Sequence, residues 1–473
     1  MVANVESCLL VGRVDWAVTT PIASFQGVLQ AADVKKHLVF PFDVPVGAAG
    51  LEFVLSFRPA GAGSIRNMLC LSLLGPEGFR GSGHRHGTEH RVVLDKTSVT
   101  PGYFPGSLTA GTWRALVHTH MIRPGEDVQY RLEVNLTRNH TDATDAKPQA
   151  LFEPTPAKPA LPKRGPGWYR GDLHAHSTHS DASWTVQGLF ANARRQGLDF
   201  VTLSDHNTVS GLIEMDALQT PDLLTLGGLE LTTFYGHALA LGRRGWLDWV
   251  RTPMRDLARQ ADEGGLFIIA HPFRPGDPVC TGCRWAYPEL MPGTARVVEI
   301  WNGGRWDEAN EAALACWYRW LNGGYRMTVS AGTDGHRPAP EGEAVGYNVV
   351  YAEMLTESAV LNAVRQGKSY LSSGPRLELT RLGSAEPITG EVIETAKALS
   401  LCYAGVTQGA VLRLIVDGNI YSETALADEG QLEFTPPEGA KWSVLELRDE
   451  GDRVLAVTNA VFTRLFEEVV AAS

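Results

Sequence analysis

The chain has 473 residues, of which 44% are hydrophobic and 20% are charged, and its formal net charge is −11. This much apolar sequence can form sizeable cores, so we exclude a mostly disordered chain, and its length suggests roughly three domains. The acidic charge argues against extended nucleic-acid binding, and no apolar run approaches the roughly 20 residues of a membrane span. Residues 1–11 contain Glu6 and lack the basic start and cleavage site of a secretory signal, so we expect a cytoplasmic protein.

The first part of the chain, residues 1–137, consists of short segments in which apolar and polar residues alternate, separated by Gly and Pro. This pattern predicts β-strands, and their spacing is typical of a β-sandwich, here a jelly-roll-like accessory domain. Residues 138–167 are polar and rich in proline, which predicts a semi-rigid linker between this domain and the next.

Residues 168–375 change to short β-runs that alternate with stretches of helical spacing, at 185–196, 254–263 and 307–321. Gly197, Gly264 and Gly323 follow these stretches at positions typical of helix ends. The alternation predicts βα units that form a barrel or a parallel sheet. Residues 376–473 return to strands without long helices, which predicts a small C-terminal β-sandwich domain.

Six histidines of the middle region lie at or near the ends of predicted β-runs, most of them close to Asp, Glu or another His. In a βα barrel all strands open at one face, so residues distant in sequence should meet there. Neutral imidazole and carboxylate groups are good ligands for Zn, Mn or Fe, and His174-x-His176 and Asp334-x-His336 each direct two side chains the same way. These histidines are His174, His176, His206, His237, His271 and His336, and the acidic residues near them include Asp181, Glu230 and Asp334.

In this order the motifs resemble the PHP (polymerase and histidinol phosphatase) metallohydrolase domain, over residues 168–375. The resemblance implies a distorted (β/α)7 barrel, here flanked by two β domains, with a trinuclear centre of divalent ions. It assigns one ion to His174, His176, Glu230 and Asp334. It assigns a second to Glu230, which bridges, with His237 and His271, and a third to Asp181, His206 and His336. Residues 367–375 also resemble the closing segment of a branch that includes carbaryl-hydrolase-like enzymes with accessory β domains.

The chemistry expected of such a centre is hydrolysis, because clustered cations lower the pKa of a bridging water and supply hydroxide as nucleophile. We therefore expect a metal-dependent phosphoesterase (EC 3.1) that acts on a small molecule; the sequence assigns neither the native metal nor the oligomeric state. The same nucleophile could hydrolyse a carbamate, amide or carboxylic ester, which the closing segment favours. A third alternative is a non-catalytic binding module, against which the full ligand set argues.

Three further residues of the middle region are candidates for a direct role in catalysis. Arg274 and Arg337 each follow a ligand position, so either could bind a phosphate group, with a surface ion pair as the alternative. Asp205 precedes His206 and could orient a ligand or carry a proton, or instead cap the following helix. Asn302 and Arg305 follow another strand end and are compatible with a substrate loop.

Two other groups are less specific. Cys280-x-x-Cys283 has no second cysteine pair beside it, so we expect two free thiols rather than a zinc knuckle. In the N-terminal domain the segment His84-Arg85-His86, with His90, His118 and His120, could form a minor metal site or cover the barrel mouth as a lid.

Overall fold

The structure is a computed structural model that describes residues 18–96, 98–137, 165–338, 344–395 and 397–469. Most of the predicted Pro-rich linker, residues 138–164, therefore lies outside the described residues. The described residues contain 28 strands and five α-helices, so the molecule is mostly β-sheet. None of these helices is long and apolar enough to span a membrane.

The strands of the N-terminal region are β1 (Val18–Leu29), β2 (His37–Val44), β3 (Gly50–Arg58), β4 (Gly61–Ala62), β5 (Ile65–Arg66), β6 (Met68–Gly75), β7 (Gly78–Gly83), β8 (Glu89–Asp95), β9 (Gly111–Met121) and β10 (Val128–Thr137). Eight of them form two four-stranded antiparallel sheets, ordered β1-β10-β3-β8 and β2-β9-β6-β7. Alternate residues of β3 and β6, such as Phe53, Leu55, Leu69 and Leu71, share one buried core with Trp113. The two-residue period of the sequence is the reason, since it gives each strand one apolar face.

The middle region contains all five α-helices of the described chain. Its elements are β11 (Gly167–Asp172), α1 (Val186–Arg195), β12 (Phe200–Leu203), α2 (Leu212–Ala217), β13 (Leu224–Thr232), β14 (His237–Leu241), α3 (Met254–Gly264), β15 (Leu266–Ile269), β16 (Val297–Asn302), α4 (Glu308–Asn322), β17 (Thr328–Gly332), β18 (Tyr347–Ala352), α5 (Glu357–Arg365) and β19 (Ser369–Ser372). Thr185 and Asp307 cap α1 and α4, since each side chain accepts a hydrogen bond from a backbone N–H of the first turn.

The central sheet is mixed, whereas the sequence favoured parallel strands throughout. Its order is β17-β16-β15-β14-β13-β12-β11-β18-β19, and β14 runs antiparallel to both neighbours. Residues 233–236 are the reason, because four residues can close a hairpin but cannot form the crossover that a parallel connection needs. The hairpin brings the end of β13 and the start of β14 to the same edge of the sheet.

The C-terminal strands are β20 (Arg376–Arg381), β21 (Val392–Ile393), β22 (Leu399–Ala404), β23 (Val411–Val416), β24 (Asn419–Ala425), β25 (Gly430–Phe434), β26 (Trp442–Arg448), β27 (Val454–Thr458) and β28 (Val461–Thr463). Some of them continue the central sheet, because β27 pairs with β19. A second sheet, ordered β20-β22-β25, shares a buried core with β23 and β26 through Leu401, Leu412 and Leu445. The two regions are therefore joined by backbone pairing as well as by side chains.

Asn459 fastens the C-terminal strands to the central sheet. Its Oδ1 accepts a hydrogen bond from Val329 N at 2.8 Å and its Nδ2 donates to Ser369 Oγ at 2.9 Å, in a site that is 1% exposed. We expect Asn459→Ala to lower the free energy of unfolding by about 2–3 kcal/mol, because buried groups lose their partners. Urea unfolding checks this, with the exposed Asn419→Ala as control. A loss for Asn459→Ala no larger than the control's would contradict it.

Candidate metal centre

The nine residues singled out in the sequence come together at one edge of the central sheet. His174 and His176 follow β11, His206 follows β12, and His271 follows β15. Glu230 lies near the end of β13 and His237 begins β14, on either side of the hairpin. Asp334 and His336 follow β17, while Asp181 lies in the loop between β11 and α1. The edge is the one predicted from the carboxyl ends of the parallel strands.

A first group consists of His174, His176, Glu230 and Asp334, whose candidate ligand atoms lie within 4.8 Å of one another. The Nε2 atoms of the two histidines are 3.1 Å apart. His176 Nε2 is 2.9 Å from Asp334 Oδ1 and 3.4 Å from Glu230 Oε2. Two imidazole nitrogens and two carboxylate oxygens thus face one point, as ligands of a single ion would.

A second group, formed by Glu230, His237 and His271, uses the other carboxylate oxygen. Glu230 Oε1 is 3.1 Å from His237 Nδ1 and 3.1 Å from His271 Nε2. Since Oε2 faces the first group and Oε1 the second, the carboxylate lies between them. Its side chain is fully buried between the two groups.

A third group contains Asp181, His206 and His336, and His176 lies close enough to join it. Asp181 Oδ1 is 3.0 Å from His336 Nε2 and 3.5 Å from His206 Nε2. The His176 and His206 rings are stacked with centroids 4.2 Å apart, which connects this group to the first.

Divalent ions fit this donor set. His176 Nδ1, Glu230 Oε2 and His237 Nδ1 are buried and lack a hydrogen-bond partner, which is costly unless another partner, such as an ion, is present. Two members of the set, His271 and Asp334, have positive φ angles of 30° and 50°, a strained conformation that is concentrated at functional sites.

The pKa values of these candidate ligands are shifted by burial and by the charges of their neighbours. Burial alone would raise the pKa of Glu230 and Asp334, but the surrounding histidines hold both pKa values well below the ordinary range. Burial, with the nearby His206, lowers the pKa of His176 to about 4. Burial would also lower the pKa of His336, but its hydrogen bond to Asp181 and the charge of that carboxylate raise it to about 9.

If an ion binds at the third group, the raised pKa of His336 should make that binding dependent on pH. An ion needs the neutral imidazole, so below pH about 9 binding must displace a proton and should weaken up to ~10-fold per pH unit. Calorimetric titration of the metal-free protein with Zn²⁺ or Mn²⁺, from pH about 6 to 8.5, measures how the metal affinity changes with pH. It also measures the number of protons that the protein releases on binding. The same affinity at every pH would contradict the assignment, and His336→Asn should remove this proton's contribution.

Glu299, which the sequence analysis did not select, orients two of these histidines. Its Oε1 is 3.1 Å from His174 Nδ1, and its Oε2 accepts hydrogen bonds from His271 N at 2.9 Å and from Asn302 Nδ2 at 3.0 Å. A carboxylate on the far ring nitrogen fixes the tautomer and directs the other nitrogen to the ion. The only sequence signal was a single acidic residue with apolar neighbours on both sides in β16.

The loop that contains Cys280 and Cys283 has a similar effect through its carbonyl oxygens. Thr281 O lies 3.3 Å from His237 Nε2, and Cys283 O lies 3.3 Å from His271 Nδ1. Protons on these nitrogens leave the opposite nitrogens free to face Glu230. The two cysteines form a disulfide, so the expectation of free thiols is wrong; their spacing of three lets one loop turn bring them together.

The N-terminal domain forms one wall of the site. Phe79 stacks on Trp246 with ring centroids 4.1 Å apart, and Thr281 Oγ1 donates a hydrogen bond to His120 O at 2.6 Å. A cavity of about 330 Å³ lies between the metal-ligand groups and this domain. From the N-terminal side it is lined by Ser64, Arg66, Met68, His84, His86, His120 and Met121. The segment His84-Arg85-His86 therefore reaches the candidate centre.

The other predicted site residues have different surroundings. Asp205 accepts hydrogen bonds from Ser177 and Ser180, so it braces the loop that carries Asp181 rather than touching His206. Arg274 forms an ion pair with Asp307 and a hydrogen bond with Asn302, so its guanidinium is already engaged within the protein. Arg337 is exposed and lines a second cavity of about 610 Å³. Asp181, Asp334 and His336 line both cavities, and the exposed Arg305 lines neither.

Comparisons with known proteins give distant likenesses. No protein-family model matches the chain. An uncharacterised protein of Methanocaldococcus jannaschii is 25% identical over an alignment of 118 residues, and the match covers 22% of this chain and 69% of that protein.

The chain is also similar to solved PHP-like metal-dependent phosphoesterases and to an amidohydrolase. A two-domain protein from Bacteroides vulgatus, containing a predicted PHP-like metal-dependent phosphoesterase, is 17% identical with a TM-score of 0.39 and matches 63% of this chain and 96% of its own. A candidate metal-dependent phosphoesterase from Bifidobacterium adolescentis is 18% identical with a TM-score of 0.30, covering 41% and 94%. An amidohydrolase from Chromobacterium violaceum with bound sulfate is 17% identical with a TM-score of 0.27, covering 36% and 88%. At these values the likenesses assign no activity to this chain.

Proposed function

We propose that the chain is a metal-dependent hydrolase of the PHP type, that three divalent ions occupy its three ligand groups, and that its substrate is a small phosphoester. The observation that carries the proposal is the convergence of nine His, Asp and Glu side chains, with one carboxylate, Glu230, shared between two groups. A lone buried histidine has many explanations, but three adjoining ligand sets with unpartnered polar atoms have few.

In this proposal residues 168–375 form a distorted (β/α)7 barrel, with β domains at 1–137 and 376–473. Contacts between β17, at one end of the central strand order, and elements near the other end support closure. Ala331 N in β17 donates a hydrogen bond to Asn348 Oδ1 in β18 at 3.0 Å, and Ala175, just after β11, forms a bridge with Gly335, just after β17. A closed barrel explains why strand ends distant in sequence share one mouth.

The chemistry divides between the ions and the side chains. Bound divalent ions supply a water of lowered pKa and offset charge on the phosphoryl oxygens and the leaving oxygen. The protein's part is to hold the nine ligands, with Glu299 and the 280–283 loop fixing the tautomers of His174, His237 and His271. His86, whose side chain is 74% exposed at the cavity, could donate a proton to the leaving alcohol.

Charge favours an anionic substrate. With neutral histidines, Asp181, Glu230, Asp334 and the neighbouring Glu299 would offset four of the six positive charges of three divalent ions, so the loaded site would be cationic. Arg66, exposed in the short β4–β5 hairpin, adds a further positive charge at the cavity. The cavity volume of about 330 Å³ suits a small molecule. Arg66 therefore replaces Arg274 as the candidate phosphate-binding residue.

The second candidate function, hydrolysis of a carbamate, amide or carboxylic ester, rests on the sequence of residues 367–375. In the structure much of that segment has a packing role. Ser369–Ser372 is the strand β19, which pairs with β18 and β27, and Ser372 Oγ donates a hydrogen bond to Pro375 O. The phosphoester proposal does not depend on it.

The experiment is a hydrolysis panel on full-length protein that is stripped of metal and reloaded with Zn, Mn or Fe. The panel contains aryl phosphates, phosphodiesters, nucleotides, carbamates and carboxylic esters. We expect turnover of a phosphoester that requires metal and returns on reloading. Carbamate or ester turnover without any phosphoester turnover would favour the second candidate. A protein that is fully loaded with metal and hydrolyses none of these compounds would contradict the proposed enzymatic activity and favour a binding module.

A further inference from the structure

A fourth cluster of potential ligands lies in the N-terminal domain, outside the nine residues of the main centre. It consists of Cys70, His84 and His120, whose candidate ligand atoms all lie within 4.8 Å of one another. Cys70 lies in β6, His84 directly after β7 and His120 in β9. These elements are neighbours because β6 pairs with both β7 and β9.

The geometry of the cluster fits a tetrahedral ion. Cys70 Sγ and His84 Nδ1 are 3.6 Å apart. Tetrahedral zinc, with a Zn–S bond of about 2.3 Å and a Zn–N bond of about 2.05 Å, holds its S and N ligands about 3.6 Å apart. The His84 and His120 ring centroids are separated by 4.9 Å, which leaves both imidazoles beside the same thiol.

Burial and unmet hydrogen bonding support the same conclusion. Cys70, His84 and His120 are 1%, 8% and 1% exposed. His120 Nδ1 is buried without a hydrogen-bond partner, an arrangement that costs free energy unless another group satisfies the nitrogen. One thiol and two imidazoles form a softer donor set than the imidazoles and carboxylates of the main centre, and soft donors select zinc and similar ions.

We propose that Cys70, His84 and His120 form a fourth metal site that binds a thiophilic divalent ion such as Zn²⁺. Three protein ligands leave one tetrahedral position open. His84 and His120 line the cavity of the main centre, and the His84 ring centroid is 4.6 Å from that of His206. The ion adds a positive charge to the cavity wall and fixes β6, β7 and β9 relative to the third ligand group.

Cobalt substitution of the full chain, without reductant, tests the site independently of any activity. A thiolate bound to Co²⁺ gives an intense near-ultraviolet charge-transfer band, whereas the main centre has only nitrogen and oxygen donors. We expect the band in the wild-type protein and its loss in Cys70→Ser, together with one fewer ion per chain. His120→Gln should weaken it. Cys402→Ser, at an exposed cysteine, should leave it unchanged, as should a Cys280→Ser and Cys283→Ser double variant.

Two outcomes overturn the proposal: a fully loaded protein without the band, or a band that persists in Cys70→Ser. If Cys70→Ser does not fold, X-ray absorption of zinc-loaded wild-type protein decides instead, because the site requires a sulfur atom in the first coordination shell. Failure here is distinguishable from failure of the proposed hydrolase. Glu230→Gln should disturb the main centre and retain the thiolate band, while Cys70→Ser should retain the three ions of the main centre.

Discussion

Replacing Glu230 by Gln is expected to release or weaken two ions together and to lower kcat/KM by at least ~100-fold, the upper range for residues that only orient a metal ligand. The reason is the position of its two oxygens. Oε2 lies 3.3 Å from His174 Nε2, and Oε1 lies 3.1 Å from both His237 Nδ1 and His271 Nε2. An amide lacks the negative charge and offers a single oxygen, so it cannot serve both groups. Metal content and steady-state kinetics measure the two effects.

The matched control for this substitution is Glu438→Gln, at an exposed position of the C-terminal region, which should retain both metal and rate. His206→Ala provides a contrast, since it should chiefly weaken the binding of the ion in the third group. If Glu230→Gln keeps its full metal content and rate, Glu230 does not bridge.

Replacing Arg66 by Ala is expected to raise KM or lower kcat for phosphoesters by roughly 10- to 150-fold, with metal content unchanged. Loss of one charge-assisted contact to phosphate costs on the order of 1.5–3 kcal/mol. Arg66 is exposed at the cavity mouth, whereas Arg274 is committed to Asp307 and Asn302. Arg274→Ala should therefore act on all substrates alike, through the Asn302 contacts. Steady-state kinetics on a phosphoester and on a neutral ester of similar size distinguish a loss specific to phosphate from a loss common to all substrates.

The control for Arg66→Ala is Arg58→Ala, at another exposed arginine of the same domain. Arg337→Ala determines which cavity admits the substrate, because Arg337 lines only the larger one. We expect a small effect for Arg337→Ala. A large loss of kcat/KM for Arg337→Ala, with none for Arg66→Ala, would indicate that the substrate binds in the larger cavity. If Arg66→Ala lowered kcat/KM equally for charged and neutral substrates, Arg66 would have a structural role.

The convergence of the candidate ligand residues was predictable because their positions follow a simple rule of barrel geometry. Motifs such as His174-x-His176 and Asp334-x-His336 come at the ends of apolar runs, and strand ends share one edge of a sheet. Helix starts were predictable from the local sequence, since Thr185 and Asp307 have side chains that cap the first turn. These features depend on neighbours a few residues away.

Other features depend on contacts that no local pattern encodes. Glu299 acts on His174, which lies 125 residues earlier, through one buried carboxylate. Arg66 lies in a short hairpin without any motif, and it reaches the cavity only because the N-terminal domain packs on the central region. Cys70 meets His84 and His120 through strand pairing. The sequence made Arg274 a candidate for binding phosphate, but its guanidinium forms an ion pair with Asp307 in the structure.

The most direct test of the three-ion centre is anomalous X-ray diffraction from crystals of metal-loaded protein, recorded at the absorption edge of the loaded ion. The account predicts one peak within each ligand group, with Glu230 within bonding distance of two of them. A peak in no more than one of the three groups, from protein that retains full hydrolytic activity, would contradict it.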